Sequence, residues 1–137
     1  MLKLTKNKAC AVLRLIFLLG YGQPGFWRKL MEKEALTIKD EGSALRAILP
    51  SDIDHHGAKF IRERIDASLS ENMPRRLILD FSRVTFMDSS GIGLIIGRCQ
   101  AAKKYAASVE LVGVSNDIMR LIRICGVEKI KDLYIIG

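Results

Sequence analysis

Residues 76–97 read RLILDFSRVTFMDSSGIGLIIG, from Arg76 to Gly97, and three kinds of segment follow one another within them. Arg76–Phe81 is a compact apolar run of the sort that forms a central strand buried on both faces. Phe86-Met-Asp-Ser-Ser-Gly-Ile-Gly93 is polar and glycine-rich. From Ser90 to Ala106 the residues Ile92, Ile95, Ile96, Cys99, Ala102 and Ala106 recur on one side of a helix. A strand, a polar junction and a helix in that order make a βα unit.

The same alternation of periods continues outward. Upstream, Ala35–Asp40 and Ala44–Leu49 are strand-like and flank Glu41-Gly42-Ser43, so they read as a hairpin. Asp54–Leu69 reads as a helix with Ala58, Ile61, Ile65 and Leu69 on its apolar stripe, and Pro74 bars it from continuing because proline has no N–H to donate. Downstream, Ser108–Val112 is a further strand. Ser115 suits the N-cap of a third helix whose apolar face is Ile118, Leu121, Ile122 and Cys125, and Gly126 suits its left-handed C-terminal position. Leu133–Ile136 adds an edge strand. This order predicts an α/β domain: a mixed sheet of four to five strands covered by about three to four helices.

The 137 residues suffice for one such domain, with 49% hydrophobic and 27% charged residues. The formal net charge of +7 suggests nucleic-acid or membrane binding until it is located. Lys3, Lys6, Lys8, Arg14, Arg28 and Lys29 lie in the first thirty residues, which hold no acid. Beyond them 16 basic residues face 15 acidic ones, a net of +1. The folded body therefore lacks the basic surface that direct nucleic-acid binding needs. Cys10, Cys99 and Cys125 have no metal-like or disulfide-like spacing; Cys99 and Cys125 fall in apolar helical patterns, as small buried thiols of a reduced cytoplasmic protein would.

Residues 10–19 (CAVLRLIFLL) form an apolar run that Arg14 interrupts and that is too short for a bilayer span of about 20 residues. Trp27-Arg28-Lys29 can be spelled by purine-rich codons resembling a ribosome-binding site ahead of Met31. The expectation is that translation starts at Met31: residues 1–30 are then an N-terminal extension that is not native, residues 31–137 are the domain, and no membrane association follows.

The junction at Asp88–Ser90 carries the chemistry. A helix start offers unpaired N–H groups and favours negative charge, so a phosphate on Ser89 or Ser90 fits there without reshaping the fold. On the residues alone, Asp88 and Ser89 read first as helix N-caps. Ser89, Gly93 and Gly97 are four apart and line one face. Two interior glycines cost roughly 1 kcal/mol each, and because Ile92, Ile95, Ile96 and Cys99 take the core side, the glycine face is expected outward, towards a partner. Gly91-x-Gly93-x-x-x-Gly97 is a poor match to a dinucleotide fingerprint, its third glycine falling one position late. Asp52-Ile-Asp-His-His56 lacks a distant residue to complete a metal site, and Asp54 reads as a helix cap. No histidine can be placed beside Ser89 as a catalytic base. No catalytic residue, metal ligand or cofactor emerges.

Leu49-Pro-Ser-Asp-Ile-Asp-His-His56, Leu77–Leu94 with its Met-Asp-Ser-Ser-Gly-Ile-Gly, Ile95–Arg98, Val114-Ser115 and Leu121–Val127 closely resemble the anti-sigma factor antagonists of the STAS domain class, particularly the sporulation-type regulators of spore-forming Gram-positive bacteria. The resemblance covers residues 31–137 and none of 1–30. It implies phosphorylation of Ser89 by an anti-sigma factor that is itself a serine kinase, resetting by a serine phosphatase, and a partner-binding set of Asp54, Asp88, Ser89, Ser90, Gly91, Ile92, Gly93 and Gly97. The unphosphorylated antagonist captures the kinase and frees its sigma factor. Other roles compatible with the same residues are a STAS scaffold subunit and a small-ligand or nucleotide-binding module. Ser51 departs from the family's usual glycine, and a further helix commonly follows the position of Gly137. Mass analysis of the N-terminus of the protein from its native host should find a chain beginning at Met31; one beginning at Met1 refutes the start-site expectation.

Overall fold

The structure, a computed structural model, describes residues 36–137. The expectations about residues 1–30 lie outside the described residues. Strands β1 (Thr37–Asp40) and β2 (Ala44–Ile48) form the hairpin. Its turn uses Gly42 at φ 79°, with the Gly42 N–H donating to Asp40 Oδ1 at 3.0 Å. The chain continues through β3 (Asp52–Ile53), α1 (His55–Asn72), β4 (Arg76–Asp80), β5 (Phe86–Met87), α2 (Ser89–Lys104), β6 (Ser108–Val112), α3 (Asn116–Ile124), a 3-10 turn (Val127–Lys129) and β7 (Leu133–Ile136).

Five strands form one mixed sheet in the order β1-β2-β4-β6-β7, with β1 antiparallel and the rest parallel. β4 is central as expected, in register with Leu45 and Ala47 on one side and Val109 and Leu111 on the other. Leu77 and Leu79 point into the core with Ile61, Ile65 and Leu69 of α1, Ile95 of α2 and Ile118 and Ile122 of α3. Each side chain of that size buried stabilises the fold by about 1.5–3 kcal/mol. The opposite face departs from the expectation of a strand apolar on both sides. On that side of β4 itself only Ile78 is buried, between ion pairs of Arg46 with Asp80 (3.5 Å) and Arg76 with Glu110 (3.2 Å).

Each of the three α-helices among the described residues starts on a side-chain cap. Asp54, Asp88 and Ser115 accept from Gly57, Ser90 and Ile118 N–H groups, each worth roughly 1 kcal/mol. The α1 stripe is Ala58, Ile61, Ile65 and Leu69, as the spacing predicts. α1 ends where Met73 turns left-handed at φ 42°, directly before Pro74, and Gly126 takes φ 71° after α3.

α2 is rotated from the expected orientation. Gly91, Ile92, Leu94, Ile95, Arg98 and Ala102 are buried, whereas Ile96 is exposed and Ala106 lies beyond the helix. Arg98 reaches across to α1, pairing with Asp66 and donating from Nη1 to the Arg62 carbonyl at 3.4 Å. Burial and the neighbouring Arg62 charge push its pKa down to about 10, still charged at neutral pH. The cysteines differ from expectation too: Cys99 is half-buried, its thiol pushed up to about 11 by burial, and Cys125 is exposed. A buried guanidinium needs its partner. Asp66→Ala should therefore lower unfolding free energy by about 3 kcal/mol, more than Arg98→Met, which removes the charge and keeps the stem. Urea titration checks this, and an Asp66→Ala midpoint equal to the parent's would remove the ion pair from the account.

Candidate functional site

The site is assembled by a two-residue parallel ladder absent from the sequence reading. β3 and β5 pair Asp52 with Phe86 and Ile53 with Met87. The Ser51 carbonyl accepts from the Thr85 and Phe86 N–H groups at 2.8 and 3.1 Å, and the Ile53 carbonyl accepts from the Asp88 N–H at 3.3 Å. Strand alternation turns Ile53 and Met87 inward and Phe86 outward. The residues leaving the ladder are Asp54 on one strand and Asp88 on the other, and each caps its helix, at 2.7 and 2.8 Å. The positive ends of α1 and α2 therefore lie side by side.

Ser89, the first residue of α2, is exposed, and Asp54 is exposed beside it; Asp88 and Ser90 are half-buried. Gly93 is exposed and Gly97 partly so, and a Cβ at either would meet nothing within 4 Å. The outward glycine face expected from the spacing agrees with this. Gly91 and Ile92 do not belong to it. Ile92 is packed in the core, and a Cβ on Gly91 would collide with the Met87 side chain. These two support the surface from beneath, because α2 must approach the ladder closely.

Several exposed groups around the site escaped the sequence reading. Phe86 is 55% exposed and Ile96 36% exposed. Phe86 alternates with Met87 in an extended pair, a signal available once both are seen as strand residues. A groove of about 460 Å³ between α1 and α2 is lined by His55, Ala58, Lys59, Arg62, Ser90, Gly93 and Leu94. His55 and His56 meet edge to face with ring centroids 5.9 Å apart. Among the described residues no three His, Cys, Asp or Glu side chains are gathered as a metal site, and no helix is long and apolar enough to cross a membrane.

With this geometry in view, the sequence profile of the STAS domain matches residues 38–134. The chain belongs to the STAS domain family. It is 28% identical to an anti-sigma F factor antagonist of Paenibacillus polymyxa over 63% of this chain and 74% of that one. It is 27% identical to the anti-sigma-B factor antagonist of Bacillus subtilis over 72% and 88% of the two chains. Its fold matches the anti-sigma factor antagonist SpoIIAA in its unphosphorylated form, with a TM-score of 0.65 at 24% identity over 75% of this chain and 89% of the other. The phosphorylated form of SpoIIAA matches with a TM-score of 0.60 at 24% identity, over 75% and 92% of the chains.

The departure at Ser51 leaves this STAS domain's ladder intact. Ser51 is used through its carbonyl, and its φ is not among the positive values that would favour glycine. The three glycines of α2 should behave oppositely on substitution. Gly91→Ala should destabilise by about 1–3 kcal/mol through overpacking against Met87. Gly93→Ala and Gly97→Ala should each stabilise by about 1 kcal/mol through helix propensity. Thermal unfolding of the three variants tests the assignment, and a destabilised Gly93→Ala would mean its face packs internally.

Proposed function

We propose that this STAS domain is a cytoplasmic anti-sigma factor antagonist that binds an anti-sigma serine kinase, releases the sigma factor, and is switched off by phosphorylation of Ser89. A serine phosphatase restores the active form. The observation that carries the reading is the exposed Ser89 hydroxyl at the first residue of α2, beside an open glycine face. The names of the antagonist relatives support the same assignment.

A phosphoserine carries about −1.5 to −2 charge at neutral pH and adds three acceptor oxygens. The helix dipole at the start of α2 offsets part of that charge within the monomer, so the fold persists. Asp54 and Asp88 already supply two carboxylates at this surface, and a phosphate on Ser89 makes it strongly anionic. Acidic groups or nucleotide phosphates on a docked kinase are then repelled. The switch is local repulsion and bulk, with no refolding.

Incubation with the cognate kinase and ATP, followed by mass-spectrometric mapping, should place phosphate on Ser89. Ser89→Ala should bind the kinase constitutively, and Ser89→Asp should bind at least about tenfold more weakly, about 1.4 kcal/mol. Phosphate confined to Ser90, or equal binding by both variants, would overturn the switch.

A further inference from the structure

The groove between α1 and α2 has a charge asymmetry that the proposed switch does not use. Lys59 and Arg62 stand on its α1 side as exposed cations, and neither forms an ion pair with another described residue. Ala58 and Leu94 provide apolar lining, and among the described residues no acidic one lines it. On the α2 side it is bordered by Ser90 and by Gly93, where nothing within 4 Å would obstruct an approaching chain. The groove thus runs alongside the glycine face that begins at Ser89.

An unpaired pair of cations over an apolar lining complements a segment that presents carboxylates beside apolar side chains. Opposite potentials of this kind steer encounter and fix the register of docking. Resting on the function proposed above, we infer that this groove receives an acidic, amphipathic segment of the protein partner that reads Ser89, with Lys59 and Arg62 as its charge anchors. Ser90 and Gly93 place the groove within one helical turn of Ser89. A phosphate there sets negative charge against the very segment that the two cations attract, so phosphorylation and groove occupancy oppose each other electrostatically.

The test uses the full chain and the kinase with bound nucleotide, measured by calorimetry at several salt concentrations. The double variant Lys59→Glu/Arg62→Glu should raise Kd at least tenfold and flatten its salt dependence. Lys59→Gln/Arg62→Gln should show a smaller loss, and both should keep the parent's circular dichroism spectrum because neither side chain is in the core. Unchanged Kd and salt slope in the double variant, with the parent binding normally, would overturn the groove assignment and leave the function standing. A parent that neither binds the kinase nor is phosphorylated by it would overturn both. ATP or GTP alone, titrated into the protein without kinase, should show no binding; binding abolished by the double variant would assign the groove to a small anionic ligand instead.

Discussion

Everything at the Ser89 surface depends on the short ladder between β3 and β5. A two-residue pairing is weak by itself. It persists because its inward residues, Ile53 and Met87, are buried in the core, and because Gly91 lets α2 settle against the Met87 side chain. Pairing, burial and close approach are therefore one contact seen from three sides. Through it, two capping aspartates from distant parts of the chain come to the same place, with two positive helix ends behind them.

α2 meets opposite requirements on its two sides. Inward it needs close packing, met by Gly91, Ile92, Leu94, Ile95 and Ala102, and a tie to α1, met by Arg98 and Asp66. Outward it presents Gly93 and Gly97, which weaken the helix by removing side chains. The inward contacts offset that loss. A helix stabilised from one side can leave the other side bare, and a bare backbone surface is where another chain approaches most closely.

Much of this was legible in residue patterns. The hairpin, the α1 stripe, the Asp54 cap, the Ser115 cap and the left-handed Gly126 all follow from local periodicity and local hydrogen bonding, and the structure agrees with each. The exposure of Ser89 and the outward Gly93 were anticipated for the same reason. The orientation of α2 is not legible in the same way: Ile92, Leu94, Ile95 and Ile96 are all apolar, so spacing cannot choose between Leu94 and Ile96 for the core. Burial of Arg98 has no local signal, because a buried guanidinium is an exception to the usual burial order. Gly91 and Ile92 share a motif with Gly93, yet the helix turns them inward.

Caps, turns and amphipathic stripes act over a few residues, so the βα order, the helix ends and the residue types at the α2 start can all be read along the chain. Tertiary structure alone decided that Asp54 and Asp88 stand together, that Gly91 is structural while Gly93 is free, and that Lys59 and Arg62 share a groove with Ser90. Each of those depends on pairing between segments some thirty residues apart. Two extended residues carry too little periodicity to announce such a partner, and only burial of their inward side chains selects it.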